Sequence, residues 1–127
     1  MLPFSIEIKP GSPIAEQVVF AVKRAAVSGQ LAVGMPFPSV RRLSQELGIN
    51  PNTAHRIIAS LVAEGVLATT PAVGSVVAEP GAADRVARAA LLDGDLERVV
   101  VEAKKLGLSI EEVSAGLGRQ WQRLAKK

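Results

Sequence analysis

The sequence predicts a mainly α-helical chain with one small β hairpin. Three observations carry that prediction. Apolar residues recur at helical spacing through most of the 127 residues; β-rich runs flank one Pro-Gly turn near the middle; and Ser, Asn and Gly stand where helices begin and end. Apolar residues make up 48% of the chain and aromatics only 3%, so any core is built from Ala, Val, Leu and Ile.

Phe4 to Lys9 (FSIEIK) alternates apolar and polar, which predicts a short half-buried strand. Pro10-Gly11-Ser12-Pro13 ends it, with Ser12 placed as a helix cap and Pro13 at the first helical position. Ile14, Val18, Val22 and Ala25 then line one face of a first helix that stops at Gly29, and residues 30–38 read as a loop. Ser39 caps a second, short helix with Val40, Leu43 and Leu47 on its apolar side. Gly48 closes that helix, and Ile49 can fold back onto its last turn.

Asn50 caps a third helix whose first position is Pro51, where a missing N–H costs nothing. The proline therefore starts a helix rather than breaking one. Ala54, Ile57, Ile58, Leu61 and Val62 form its buried face; Asn52, His55, Arg56 and Ala59 lie opposite, with Thr53 at the margin. Gly65 stops it. Val66–Thr70 and Ser75–Ala78 read as a hairpin around residues 71–74.

Beyond Pro80 the pattern is purely helical, which divides the chain into residues 1–80 and a tail of residues 81–127. Leu92, Leu96, Val99, Ala103 and Leu106 share a face across Asp93-Gly94-Asp95, as one helix with a weak point or two helices meeting there. Ser109-Ile-Glu-Glu112 is a capping box, and Ile110, Val113, Leu117, Trp121 and Leu124 stripe a final helix. Two or three such helices cannot enclose a metabolite-sized cavity and a core of their own. Their stripes require a partner surface, and the simplest is the tail of a second copy, through Leu92, Leu96, Val99, Ala103, Leu106, Val113, Leu117 and Trp121.

Several function classes recede on composition. There is no cysteine and one histidine, which disfavours disulfides, thiolate chemistry and histidine-rich metal sites. No nucleophile–base pair or phosphate-cradling loop is visible, so no enzyme activity, cofactor or metal is expected. The start MLPFSIEIKPGSP lacks signal-peptide character, and charges interrupt every apolar run, so the expectation is a cytoplasmic protein with no membrane span. Net charge is +3 and hardly distinguishes the halves. Residues 1–80 carry six Lys and Arg against five Asp and Glu, and residues 81–127 carry nine against seven.

Two helices joined by a glycine turn, the second presenting short polar and basic side chains, meet the physical requirements of a helix-turn-helix. Double-stranded DNA is then the expected partner. Asn50, Asn52 and Thr53 sit where free N–H groups and the helix dipole favour phosphate. Asn can read adenine edges and Arg guanine edges, which brings in Arg56, with His55 beside it. Ser39, Arg41 and Arg42 open the helix that crosses the backbone, and phosphate is their natural contact. Lys23 or Arg24 could join the same basic side.

The run from Phe37 to Arg56 (FPSVRRLSQELGINPNTAHR), followed by Leu61 and Glu64-Gly-Val-Leu67, closely resembles the winged-helix domain of GntR-family bacterial transcription regulators. The Ile-Asn-Pro-Asn-Thr variant and the short tail with Lys105-Leu-Gly-Leu-Ser-Ile-Glu-Glu112 are similar to the YtrA-type subgroup. The resemblance implies a winged helix-turn-helix domain plus a helical dimerisation tail, and a homodimeric repressor on an inverted-repeat operator near transport or metabolic genes. Family DNA contacts carried over by position fall on Arg41, Asn50, Pro51, Asn52, Thr53, His55 and the wing tip. The sequence departs from the family at Pro51 and His55, often basic there, and in the wing Thr69-Thr-Pro-Ala-Val-Gly74, where Ala72 replaces a glycine and the arginines are gone. A weakened wing contact is expected. The rival reading is a winged helix serving as a protein-interaction module, and the resemblance leaves a small-molecule effector open.

Overall fold

The first helix, α1 (Ile14–Val27), begins one residue later than the sequence suggests. Pro13, not Ser12, is the capping residue, and no side chain caps the helix start. Gln17 instead clamps the preceding segment. Its amide accepts from the Lys9 N–H at 2.8 Å and donates to the carbonyls of Lys9 and Ser12 at 2.7 and 2.9 Å. This computed structural model describes residues 1–79 and 85–125. The chain divides into two compact units, Met1–Pro80 and Gly81–Ala125.

In the first unit α1 is followed by α2 (Val40–Leu47), α3 (Pro51–Ala63), β1 (Leu67–Thr70) and β2 (Gly74–Val77). The strand expected over residues 4–9 does not form. Period-two alternation marks extended chain with one side turned inward, but a strand also requires a neighbouring ladder, and none reaches this segment. Its apolar side is still used: Phe4 is buried and stacks on Phe37 with ring centroids 5.9 Å apart.

β1 and β2 pair antiparallel, Leu67 opposite Val77 and Thr70 opposite Gly74, one residue from the expected strand limits. The expected loop of residues 30–38 contributes more than a connection. The N–H groups of Gly34 and Phe37 donate to the carbonyls of Val77 and Ser75, both at 2.8 Å, and Val77 donates back to Met35 at 2.9 Å. Pro36 bridges Val76 across this third, edge segment, a position a proline tolerates because nothing lies beyond it to accept an N–H.

The core of this unit joins all its layers. Val18, Ala21, Val22 and Ala25 from α1 meet Leu43 from α2, Ala54, Ile57 and Leu61 from α3, and Leu67 and Val77 from the hairpin. Val18, Val22, Leu43, Ala54 and Leu61 have no solvent exposure. Each Leu or Val so buried contributes about 1.5–3 kcal/mol. α3 is therefore held on a rigid platform by its apolar face, which leaves the other face free.

The second unit is a helical path. α4 (Arg85–Ala89) runs through a π-helical turn (Ala90–Asp95) into α5 (Leu96–Lys105), and α6 (Ile110–Arg123) follows. Of the two readings of Asp93-Gly94-Asp95, a continuous helix with a local defect is the one observed. The defect is a π turn, which takes in one extra residue where Gly94 weakens helix propensity. The Ser109 capping box forms as expected, with Ser109 Oγ accepting from the Glu112 N–H at 3.1 Å. Among the described residues of this unit only Ala103 is buried.

Candidate nucleic-acid interface

The α2–α3 corner is built from local chemistry. Ser39 Oγ accepts from the Arg42 N–H at 3.2 Å and starts α2. Gly48 ends it in the left-handed region (φ 65°), which a residue with a Cβ enters only with strain. That conformation turns the chain so that Ile49 donates to the Ser44 carbonyl at 3.0 Å and packs against the core. Asn50 then caps α3, its Oδ1 accepting from the Asn52 N–H at 2.8 Å. Ser44 is the one buried polar side chain among the described residues, and its hydroxyl donates to the Arg41 carbonyl at 2.9 Å.

The corner corrects one expectation. α3 does not begin with free N–H groups: Pro51 has none, Asn52 donates to the Asn50 side chain, and Thr53 and Ala54 donate to the Asn50 carbonyl at 2.9 and 3.1 Å. An anion here would meet the helix dipole and side chains, not backbone donors. Asn52, His55, Arg56 and Ala59 are exposed on one face, with Thr53 half-buried at its edge. The Asn50 amide nitrogen has no hydrogen-bond partner among the described residues.

The candidate cations are not equivalent. Arg42 donates from Nε to Glu46 at 2.8 Å and from Nη2 to the Met1 carbonyl. Hydrogen bonds from the chain's amino terminus and then from Arg42 hold the Glu46 carboxyl below its ordinary pKa. Arg41 and Arg56 are exposed and form no ion pair among the described residues. Arg56 lies farther along α3, at a shallow groove against α1 that it lines with Glu16, Phe20 and Lys23. Lys23 pairs with Glu64 at 2.7 Å, which offsets its charge, whereas the Arg24 guanidinium lies 5.6 Å from the Phe20 ring centroid and forms no ion pair among the described residues. Only the Arg42–Glu46 pair could have been found by its i,i+4 spacing. The engagement of the α3 N–H groups follows from the Asn50 cap and Pro51, both read in the sequence, whereas the third sheet segment has no such signal.

The wing tip is uncharged. Pro71, Ala72, Val73 and Gly74 are exposed, and no Asp, Glu, Lys or Arg occurs from Gly65 to Ala78. Thr70 Oγ1 donates to the Gly74 carbonyl at 3.1 Å and Gly74 takes φ 88°, which closes the turn.

The family model described as bacterial regulatory proteins, gntR family, matches residues 14–77, from the first residue of α1 to the last of β2. The chain belongs to the GntR family. It is 28% identical to the HTH-type transcriptional repressor YtrA of Bacillus subtilis over 111 residues, 85% of each protein. Among solved structures it is similar to a transcriptional antiterminator from Listeria monocytogenes EGD-e, with a TM-score of 0.82, 27% identity and coverage of 95% of this chain and 91% of that one. It is also similar to a GntR family transcriptional regulator from Listeria monocytogenes, with a TM-score of 0.63, 26% identity and coverage of 88% and 98%. The GntR fold of a mainly helical chain with a small β wing is thus shared well beyond α3, and likeness to YtrA over most of the length places this chain with the YtrA-type members. Among the described residues, no helix is long and apolar enough to cross a membrane.

Proposed function

We propose that this GntR-family regulator is a sequence-specific DNA-binding repressor that acts as a homodimer on an inverted-repeat operator in the cytoplasm. The observation that carries the reading is the α2–α3 corner. Its turn is fixed by Gly48 and Asn50, and its outer face presents Ser39, Arg41, Arg42, Asn50, Asn52, Thr53, His55 and Arg56. In this reading α3 enters the major groove with Pro51 leading, Asn52 and Arg56 read base edges, and Arg41 holds a phosphate. Residues 1–80 form the DNA-binding domain and residues 81–127 the dimerisation region. Support for the dimer comes from the tail, where Leu92, Leu96, Val99, Leu106, Leu117 and Trp121 are all at least 40% exposed. A two-fold pairing of such faces supplies two α3 helices, one for each half-site of an inverted repeat. The repressor role is supported by the likeness to YtrA, a transcriptional repressor.

Selection of bound sequences from a random duplex pool, with affinity then measured at two salt concentrations, tests the reading. The expected result is an inverted repeat bound more weakly at high salt. Recovery of no preferred sequence would refute it. The net charge of only +1 over residues 1–80 and the uncharged wing favour a second reading, a protein-interaction module; binding with no salt dependence and no sequence preference would support that one.

A further inference from the structure

The α5–α6 groove carries a charged rim beyond its apolar floor. The floor is Leu96, Val99, Ala103, Leu106, Val113 and Leu117. Arg98, Glu102 and Arg119 stand along the edges of the same groove. None of the three forms an ion pair among the described residues, although all are exposed. The Arg119 side chain lies back over Gly116, its Nη2 3.5 Å from where a Cβ on that glycine would stand. Glu112 also lines the groove, but its carboxylate is committed to the Ser109 capping box.

Both signs of charge border one apolar trough. A nucleic acid or an anionic lipid surface would pair with the arginines but leave Glu102 facing like charge, and a strongly acidic or basic peptide would likewise satisfy only part of the rim. A second copy related by a two-fold axis offers each sign its opposite, each Glu102 being shared by the two arginines of the other tail, and every such contact is made twice in reciprocal order. We infer that Arg98, Glu102 and Arg119 form a self-complementary lock, in which the arginines of one tail pair with Glu102 of another and restrict the groove to copies carrying the same rim. The inference rests on the dimer proposed above and adds the polar determinants of partner choice. Apolar floors make dimers sticky; rim charges make them selective.

The test uses the full chain in two charge-reversed forms, one with Arg98→Glu and Arg119→Glu, the other with Glu102→Arg. Sedimentation velocity should show wild type as a dimer and each variant alone dimerising about tenfold or more weakly, because like charges then face each other. Mixing the two should restore dimers. If both variants dimerise as well as wild type, or if mixing restores nothing, the lock is wrong while the dimer stands. If wild type is monomeric at every concentration, the dimer reading itself fails and takes the lock with it. Circular dichroism checks that the reversed variants keep their helices. Should either lose them, the neutral pair Arg98→Gln and Arg119→Gln decides: wild-type dimerisation should weaken with salt and this variant's should not, and an equal salt response would overturn the lock.

Discussion

Asn50 has two separable duties, and substituting it in two ways distinguishes them. Its Oδ1 caps α3 through the Asn52 N–H at 2.8 Å. Asn50→Ala removes that bond and leaves an N–H without its partner, at a cost of about 1 kcal/mol. For a folding unit of this size the loss should lower the melting midpoint by about 4–8 °C. Asn50→Asp keeps an equally good cap and places its negative charge at the favourable end of the helix dipole, so the midpoint should hold to within about 2 °C. DNA binding should respond in the opposite sense. A carboxylate facing a phosphate about 4 Å away costs between about 1 and 4 kcal/mol, depending on how much water lies between them. That corresponds to at least about a fivefold loss of affinity. Thermal melts followed by circular dichroism and operator titration by fluorescence anisotropy measure the two effects. A stable Asn50→Ala would refute the cap; an Asn50→Asp that binds like wild type would remove Asn50 from the interface.

Leu43→Ala should destabilise the chain by about 2–5 kcal/mol, read in a denaturant melt, because Leu43 is fully buried where α2 meets α1 and α3. Arg41→Ala should reduce the slope of log affinity against log salt by roughly 1.8, about 0.9 for each of the two copies on the operator, whereas Arg42→Ala should change it less, since Arg42 is already paired with Glu46. Equal slopes for the two variants would contradict that distinction. Trp121 is the chain's one tryptophan and is 74% exposed, so its emission should shift to the red on dilution as dimers separate. A spectrum independent of concentration would place Trp121 outside the dimer.

Most of the first unit was legible because its signals are local. Ser39, Gly48, Asn50 and Pro51 each act on the backbone within a few residues, and the structure uses each of them at its expected place. The buried faces of α1 and α3 were equally readable from spacing alone. What escaped was non-local. The segment Phe4–Lys9 alternates like a strand, yet strand formation depends on whether another strand lies alongside. The loop before α2 hides the third sheet segment for the same reason, since Pro36 joins a strand that is distant in sequence, at Val76. The cap of α1 was misplaced because no side chain caps that helix; Gln17 instead fixes the segment before it, through bonds to the backbone of Lys9 and Ser12. At the corner, residue types suggested where polar groups lie but not which were already engaged. Arg41 and Arg42 look alike in sequence and differ in the structure through Glu46 and the Met1 carbonyl, which engage Arg42 alone.

The engaged N–H groups of α3 and the meagre charge of the first unit bear together on how binding strength would arise. With backbone donors consumed by Asn50, an uncharged wing and Arg42 partly neutralised, one half-site offers few cations to phosphate. Each phosphate neutralised contributes roughly 0.9 to the salt slope. A single copy should therefore bind weakly and with a shallow slope. Joining two copies through their tails makes the second contact intramolecular, at an effective concentration that can reach the millimolar range. The apolar faces of α5 and α6 would then matter to DNA affinity as much as any residue on α3. Leu96→Asp together with Leu117→Asp, far in sequence from the corner, should weaken operator binding by about a hundredfold or more while leaving the fold of the first unit intact. Undiminished binding by that monomeric variant would mean that one corner suffices, and that the uncharged wing or some other surface supplies what the arginines do not.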